Sequence, residues 1–323
     1  MNQIPFIDQT FIAEKTDFKQ LIQSLSEGFA AKSVVTPMRH HHDFKNPKEK
    51  SDSTLLLMPA WREGDDLGVK IVTVNPENGK YNLPSIQGTY MYMDAHKGSI
   101  LAILDAKALT AKRTAAASAL AASFLAKEDA SVMLMIGTGA LSRNLIRAHA
   151  SIRPISKVYV WGRDFNKSLE IANEMKGEFT EIKAVKDYLP YLEKADLISC
   201  ATLSESPLVF GEYLRNGQHI DLVGAYKKNM READDNAIVR SRVYIDTFQG
   251  GLKESGDIVI PLQNGTLHEK DILADLFDLC SAEKRGRLSD SEITLFKSVG
   301  HASEDLIAAK YYFDQWQKLN VNQ

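Results

Sequence analysis

Apolar residues recur at helical spacing near the start of the chain and then gather into short runs. The helical positions are Phe18, Leu21, Ile22, Leu25 and Phe29. The short runs have the composition of β-strands, and turn residues such as Asn78-Gly79 separate them. They are TLLLMPAW, LGVKIVTV, QGTYMYMDA and SILAILDA. This pattern predicts an α+β region in the first third of the chain.

The pattern changes at the alanine-rich stretch LTAKRTAAASALAASFLAKEDA. Alanine has the highest helix propensity, so this stretch is predicted to be a helix. Five continuous apolar runs follow, with room for a helix between most of them: SVMLMI, KVYVWG, ADLISCAT, HIDLVGA and RVYIDT. Such runs are typical of parallel strands that helices cover on both faces. We therefore expect an α/β fold with a doubly wound parallel sheet of the Rossmann type.

The last stretch, SEITLFKSVGHASEDLIAAKYYFDQWQKL, is predicted to be a long helix interrupted at Gly300. Its apolar face includes Leu306, Tyr312 and Trp316, and we expect it to return to the first domain. A chain of 323 residues, 44% of them hydrophobic, can bury the cores of two domains. The expected domains are residues 1–118 with 302–323, and residues 119–301.

The net charge bears on the class of binding partner, and the cysteines bear on the cellular compartment. The net charge is −3 and no long block of one sign occurs, which argues against nucleic acid or a membrane surface and favours a small molecule. Cys200 and Cys280 belong to no CxxC pair, as expected of a reduced, cytoplasmic protein. No apolar stretch has the length of a signal peptide or a membrane span, so none is predicted.

The loop Gly137-Thr138-Gly139-Ala140-Leu141-Ser142 follows a predicted strand and opens a predicted helix. In a GxGxxG loop, glycine permits a tight turn and lets backbone N–H groups approach a pyrophosphate at the positive end of the helix dipole. Ser142 takes the place of the third glycine, where a small residue still allows close packing. We predict a dinucleotide site here; the alternative is an ordinary strand-to-helix turn.

The end of the next strand, Gly162-Arg163-Asp164, bears on the choice of dinucleotide. An acidic residue there binds the adenosine ribose of NAD, whereas an arginine accommodates the 2′-phosphate of NADP. Gly162 stands about where the acid usually lies, so Arg163 favours NADPH, while Asp164 keeps NADH open. Arg163 could also be a solvated loop residue.

The segments AKRTAAASA and FKSVGHASEDLIAAK are the most specific of the chain, and TPMR, LGVKIVTVNPEN, IGTGALSRN and ESGDIVIPL add to them. Together these segments resemble the ornithine cyclodeaminase and mu-crystallin family, which also contains an archaeal alanine dehydrogenase and cyclic ketimine reductases. The resemblance implies a homodimer. It also implies that the N-terminal region and the C-terminal helix form a domain for substrate binding and dimerisation beside a Rossmann domain.

The resemblance implies a site as well. Arg39, Lys70 and Arg113 would bind the carboxylate of a cyclic imino acid or amino acid, which suits a bidentate guanidinium and a mobile ammonium. Thr114 would contact a phosphate of the cofactor, with further cofactor contacts from Thr89, Thr202, Gly224, Ala225 and Ser298. Val299 would line the nicotinamide side with Ser298. Each cation also has a structural explanation, such as a pairing of Arg113 with Asp105.

One departure from the family pattern decides between activities. Ornithine cyclodeaminases carry an aspartate where this chain has Tyr226, and a phenol is neutral at pH 7. This favours NAD(P)H-dependent reduction of Δ1-pyrroline-2-carboxylate to L-proline, and of Δ1-piperideine-2-carboxylate to L-pipecolate. The alternatives are an ornithine cyclodeaminase or alanine dehydrogenase, or a non-catalytic, crystallin-like protein that binds NADPH or another ligand.

In the expected reaction Lys70 is the candidate acid, provided that Arg39 and Arg113 depress its pKa. Water is an equally simple proton donor. Tyr226 could close over the substrate ring or serve only in packing. No metal is expected at His40-His41-His42, because consecutive strand residues alternate faces and no further ligand has suitable spacing.

Overall fold

The computed structural model describes residues 4–320, which divide into two compact units. The first unit comprises the described residues up to Arg113 together with those from His301 onward, and the second is Thr114–Gly300.

The helices are α1 Gln9–Lys15, α2 Phe18–Ala31, α3 Ala106–Leu125, α4 Ser142–Ile152, α5 Phe165–Glu174, α6 Leu189–Lys194, α7 Asp235–Val239, α8 Phe248–Gly251, α9 Gly256–Asn264, α10 Leu276–Cys280 and α11 Ala302–Asn320. Asp17 begins α2 by accepting hydrogen bonds from the backbone N–H groups of Lys19 and Gln20. The five apolar positions predicted for this helix are all buried. The Asn78-Gly79 turn lies within a 3₁₀-helix, Pro76–Tyr81.

The strands of the first unit are β1 Phe6–Ile7, β2 Val34–Val35, β3 His40–Phe44, β4 Ser53–Arg62, β5 Asp66–Val74, β6 Ile86–Asp94 and β7 Ile100–Asp105. Their order is β1-β7-β6-β5-β4-β2, and β3 also pairs with β4. The four predicted runs form β4 to β7, which pair antiparallel in sequence order. Turn residues between alternating runs specify such a meander.

Helix α11 packs on this sheet and on α2. The approach of the two helices is close: a Cβ at Gly28 of α2 would lie 2.3 Å from Cδ1 of Ile307. Leu306 and Tyr312 are buried as predicted, and Trp316 is partly exposed. The first turn of α11 also buries two acidic residues, Glu304 and Asp305.

The strands of the second unit are β8 Val132–Ile136, β9 Lys157–Trp161, β10 Glu181–Ala184, β11 Leu197–Cys200, β12 His219–Leu222, β13 Ser241–Ile245 and β14 Ile293–Lys297. All are parallel, in the order β10-β9-β8-β11-β12-β14-β13. The predicted doubly wound sheet is confirmed. The strand order reverses between β8 and β11, where such sheets bind their ligands.

The prediction of one helical tail from residue 291 was wrong. Residues Ile293–Lys297 are β14, which lies between β12 and β13 and is buried along its whole length. A short apolar run buried on both faces has no period that separates strand from helix. Gly300, with φ +82°, separates this strand from α11.

No helix within residues 4–320 combines the length and the apolar character needed to cross a membrane.

Candidate functional site

The glycine loop after β8 has the geometry that a pyrophosphate site needs. Gly137 has φ +120°, and a Cβ there would lie 2.5 Å from the carbonyl oxygen of Ala201. A Cβ at Gly139 would meet no protein atom within 4 Å, so the space beside this residue is open to a ligand. Ser142 Oγ donates a hydrogen bond to the Gly137 carbonyl oxygen at 2.9 Å and closes the turn.

The loop leads directly into α4. Ala140 is exposed and Leu141 half-buried, and no side chain caps the first N–H groups of the helix. Uncapped N–H groups at a helix N-terminus bind anions well. Together with the open space at Gly139, this loop fits the pyrophosphate of a dinucleotide.

The segment after β9 places Arg163 and Asp164 on the surface. Gly162 is required by packing, because a Cβ there would lie 2.6 Å from Cγ2 of Thr138. Asp164 begins α5 by accepting the N–H of Asn166 at 3.0 Å. Arg163 is therefore an exposed cation at the end of β9, while one Asp164 oxygen is already in use.

The loops after β11 and β12 pack against each other. Glu232 Oε1 accepts hydrogen bonds from the Thr202 backbone N–H at 2.6 Å and from Thr202 Oγ1 at 2.8 Å. A Cβ at Gly224 would lie 1.9 Å from the Thr202 carbonyl oxygen. Only glycine fits here, so Thr202 and Gly224 form one compact edge of the second unit.

A buried ionic cluster supports that edge. Lys297, at the end of β14, donates to the Gly224 carbonyl oxygen, and its Nζ lies 3.1 Å from Asp257 Oδ2 and 3.8 Å from Glu232 Oε2. All three charged side chains are fully buried. Burial raises the pKa of Glu232 to about 7, with Lys297 opposing the rise and Asp257 adding to it.

Ala225 and Tyr226 continue the loop after β12. Ala225 has φ +47°, and its carbonyl oxygen accepts a hydrogen bond from Ser255 Oγ at 2.6 Å. Tyr226 is 41% exposed, with Lys227 Nζ 5.7 Å from the centre of its ring. The phenol is therefore a surface group of the second unit rather than a core residue.

The residues after β14 are held by one carboxylate. Asp246 Oδ2 accepts the backbone N–H groups of Val299 and Gly300, each at 2.7 Å, and lies 3.4 Å from Ser298 Oγ. Ser298 is buried and Val299 half-buried. The loops after β8, β9, β11, β12 and β14 all lie at the carboxyl edge of one parallel sheet, which is where such folds bind dinucleotides.

In the first unit, Lys70 lies in β5 between its cross-strand neighbours Met58 and Tyr90, and all three are buried. Its ammonium Nζ lies 2.7 Å and 2.9 Å from the two carboxylate oxygens of Asp305 and 3.4 Å from Thr110 Oγ1. The alternative of an outward-facing strand lysine is wrong. The charge is buried and paired.

Arg113 joins the same group. Its Nε donates to Asp305 Oδ1 at 2.9 Å, and its Nη1 to Glu304 Oε2 at 2.5 Å. The alternative pairing of Arg113 with Asp105 is wrong, because Asp105 accepts the backbone N–H of Ala108 at the start of α3. The structure thus brings Lys70 and Arg113 together around Asp305.

The electrostatics of this group follow from burial and close charges. Burial lowers the pKa of Lys70 to about 8; Arg113 and Arg39 add to the decrease and Asp305 opposes it. Burial would raise the pKa of Asp305, but the two cations outweigh it and hold that pKa below its usual range. The pKa of Arg113 is raised because Asp305 and Glu304 outweigh its burial. Arg39, half-buried just before β3, thus acts on Lys70 through its charge.

Two threonines predicted to bind the cofactor lie in different units. Thr89 is half-buried in β6 of the first unit, with Oγ1 3.4 Å from the Leu104 carbonyl oxygen. Thr114 is buried in α3 and is the first residue of the second unit. His40, His41 and His42 are exposed in β3. Within residues 4–320, no group of three or more His, Cys, Asp or Glu side chains is arranged to hold a metal.

Five buried acidic side chains were not predicted from the sequence. These are Glu304 and Asp305 in the first unit, and Glu232, Asp246 and Asp257 in the second. A usable signal existed for one pair: Glu304 and Asp305 interrupt an otherwise small and apolar stretch, as Lys70 interrupts its strand. Charges within apolar segments are paired when the segment is buried.

Comparison with known proteins gives the class to which this fold and site belong. Residues 6–320 match the ornithine cyclodeaminase/mu-crystallin family, and the chain belongs to that family.

Individual relatives show which proteins of the family are similar to this chain. A Δ1-pyrroline-2-carboxylate reductase of Bacillus cereus is 37% identical over 290 residues, which cover 89% of this chain and 88% of that protein. The structure of the Δ1-pyrroline-2-carboxylate reductase of Thermococcus litoralis, in complex with NADH and L-proline, matches with a TM-score of 0.90, 32% identity and 98% coverage of both chains. An uncharacterised protein of Schizosaccharomyces pombe is 42% identical over 314 residues, 94% of this chain and 95% of that protein. The resemblance is confirmed, and it places the chain among oxidoreductases that act on C=N bonds.

Proposed function

We propose that this protein reduces the C=N bond of Δ1-pyrroline-2-carboxylate with NADPH to give L-proline, and reduces Δ1-piperideine-2-carboxylate to L-pipecolate in the same way. The observation that carries the proposal is the buried pair Lys70 and Arg113, in a chain whose relatives include reductases of that substrate. Cations in a protein interior need anionic partners, and a small carboxylate is a suitable additional one.

The first unit would bind the substrate. Arg113 and Arg39 hold its carboxylate, because a guanidinium forms two parallel hydrogen bonds with a carboxylate. The Lys70 ammonium gives a proton to the imine nitrogen, becomes a neutral amine and regains its proton from solvent. A pKa of about 8 suits this role, since the amine is mostly protonated at neutral pH yet close to its point of titration.

The second unit would bind the dinucleotide. The loop of Gly137, Gly139, Ala140 and Leu141 holds the pyrophosphate, and Gly162, Arg163 and Asp164 hold the adenosine end. We assign the remaining contacts as the sequence predicts them: Thr114, Thr202, Gly224, Ala225 and Ser298 belong to this unit, and Thr89 belongs to the first. Val299 lines the nicotinamide side. When bound, the nicotinamide supplies the hydride.

NADPH is favoured over NADH because Arg163 is exposed at the end of β9, where an arginine accommodates a 2′-phosphate. NADH remains an alternative, since Asp164 retains a free oxygen for a ribose. Tyr226 replaces the aspartate of ornithine cyclodeaminases, and we assign it to the substrate rather than to deamination. We further propose a homodimer formed through the first unit. Cys200 and Cys280 are thiols rather than a disulfide, which fits a reduced, cytoplasmic protein.

The test follows the absorbance of NADPH and NADH with four substrates: Δ1-pyrroline-2-carboxylate, Δ1-piperideine-2-carboxylate, pyruvate with ammonia, and L-ornithine with NAD. We expect turnover of the two cyclic imines and a loss of at least about 100-fold in kcat/KM for Lys70→Ala. Lys310→Ala, which alters a surface lysine paired with Asp314, is the matched control and should keep wild-type rates.

Each contrary outcome has its own signature. Ammonia release from ornithine without net NAD reduction would identify a cyclodeaminase, and turnover of pyruvate with ammonia an alanine dehydrogenase. Tight NADPH binding with no turnover of any substrate would identify a non-catalytic binding protein. Equal activity in Lys70→Ala and the wild type would remove Lys70 from the mechanism.

A further inference from the structure

Asp305 lies at the centre of the buried charges of the first unit. Its two oxygens contact Lys70 Nζ at 2.7 Å and 2.9 Å, and one of them also accepts the Nε–H of Arg113 at 2.9 Å. The side chain is fully buried in the first turn of α11. A buried carboxylate that bridges two cations fixes the position of both, because a charge in the interior needs a partner of opposite sign at close range.

We propose that Asp305 is the positioning residue of this site, holding Lys70 and Arg113 in place and keeping a proton on the Lys70 amine. This inference rests on the proposed function, in which those two residues meet the substrate. Asp305 acts through them and takes no part in bond making.

The neighbouring carboxylate has a different role. Glu304 contacts Arg113 Nη1 at 2.5 Å, and its other oxygen accepts the backbone N–H of His301 at 3.2 Å. Its charge is not among the main influences on Lys70. Glu304 therefore acts on the guanidinium of Arg113, whereas Asp305 acts on both that guanidinium and the Lys70 amine. This difference supplies a matched pair of variants.

The charges around Lys70 predict in which direction its pKa changes when the charge of Asp305 is removed. Burial, Arg113 and Arg39 all lower the pKa of Lys70, and Asp305 is the group that opposes them. Tyr90, which faces Lys70 from β6, is neutral because burial raises the pKa of its phenol well above the ordinary value. Without the charge of Asp305, the pKa of Lys70 falls further, and the amine is neutral at the pH where the wild type is charged.

The experiment measures kcat/KM against pH for Asp305→Asn, which keeps the size of the side chain and removes its charge. The wild type should lose activity as the pH rises through about 8, because the acid loses its proton. In Asp305→Asn this descending limb of the pH profile should move down by about 1 to 3 pH units, which corresponds to a loss of about twofold to 100-fold in kcat/KM at pH 7. Glu304→Gln should lose activity because the guanidinium of Arg113 loses a carboxylate partner, but the pH at which kcat/KM falls should not change.

Two further variants separate this role from a merely structural one. Asp305→Glu keeps the charge with a longer side chain, so the limb should stay near its wild-type pH while kcat/KM falls. Asp314→Asn makes the same change on an exposed side chain further along α11 and should leave rate and limb unchanged. If kcat/KM of Asp305→Asn fell at the same pH as that of the wild type, the proposal would be overturned.

A second readout needs no substrate. The rate at which acetic anhydride acylates Lys70, followed by mass spectrometry of the peptide that contains it, reports the neutral fraction of the amine. We expect its midpoint to lie lower in Asp305→Asn than in the wild type and in Glu304→Gln. Equal midpoints would overturn the inference. A lower midpoint in a protein that turns over no imine would uphold it and reject the proposed function instead.

Discussion

Replacing Lys297 by methionine would test the buried ionic cluster of the second unit. Lys297 Nζ lies 3.1 Å from Asp257 Oδ2 and 3.8 Å from Glu232 Oε2, and all three side chains are fully buried. Methionine fills much the same volume without the charge. The variant therefore leaves two buried carboxylates close together with no cation between them.

The magnitude follows from these distances. With an effective dielectric constant of about 20, the attraction is about 5 kcal/mol at the first distance and about 4 kcal/mol at the second. Replacing the lysine also removes the free-energy cost of desolvating its ammonium group on folding, so the net loss is smaller, about 3 to 5 kcal/mol, as found when one partner of a buried pair is deleted. For a unit of the size of Thr114–Gly300 this lowers the melting temperature by about 6 to 20 °C.

The pKa of Glu232 predicts how the destabilisation of Lys297→Met changes with pH. The pKa of Glu232 is already raised to about 7, so the folded state binds a proton that the unfolded chain releases. The stability from this group is present below the unfolded pKa and is lost as the pH rises through the folded one. Removing Lys297 raises the folded pKa of Glu232 further. The destabilisation of Lys297→Met should therefore be larger at about pH 8 than at about pH 5.5.

The assay is urea unfolding of wild type and variant at both pH values. Lys310→Met is the matched control, because Lys310 is 38% exposed and pairs with Asp314 on the surface, and its loss should cost less than about 1 kcal/mol. A loss below about 1 kcal/mol for Lys297→Met at the higher pH, or one that does not shrink at the lower pH, would refute the reasoning.

Three further predictions concern the proposed sites. Gly139→Ala should fold normally and weaken NADPH binding by about tenfold or more, since its added methyl meets no protein atom, whereas Gly137→Ala should lower the melting temperature because of its positive φ and the nearby Ala201 carbonyl. Arg163→Ala should raise the KM for NADPH by about tenfold and leave that for NADH within about twofold, measured by initial rates. Lys70→Arg should lower kcat/KM strongly, because a guanidinium does not give up its proton at this pH, and the residual activity should show no fall near pH 8.

The sequence predicts strands well where turn residues bound an apolar run, as in β4 to β7. The sequence also indicates that Lys70 is a candidate site residue, because it is a single charge within an apolar run. The prediction fails at Ile293–Lys297, where four consecutive apolar or β-branched residues show no period and the preceding polar residues suggest a helix start. The position of β14 is set by the space between β12 and β13, which is a property of the sheet rather than of the segment.

The sequence does not predict which residues pair with which among the buried charges. Two acidic residues at the start of a helix are favourable there through the helix dipole alone, so Glu304 and Asp305 have an ordinary local explanation. Their partners are distant in sequence: Arg113 lies 191 residues from Glu304, and Lys70 lies 235 residues from Asp305. Such pairings arise from tertiary folding, and a single sequence contains no local pattern for them.

The two junctions of the second unit fall between Arg113 and Thr114 and between Gly300 and His301. Residues with a proposed role flank each junction on both sides, Arg113 and Thr114 at the first and Val299 and Glu304 at the second. Recombination with a homologue at either junction would combine the proposed substrate-binding residues of one parent with the proposed nucleotide-binding residues of the other. Chimeras intended to change cofactor preference should therefore be cut inside the second unit, away from both junctions.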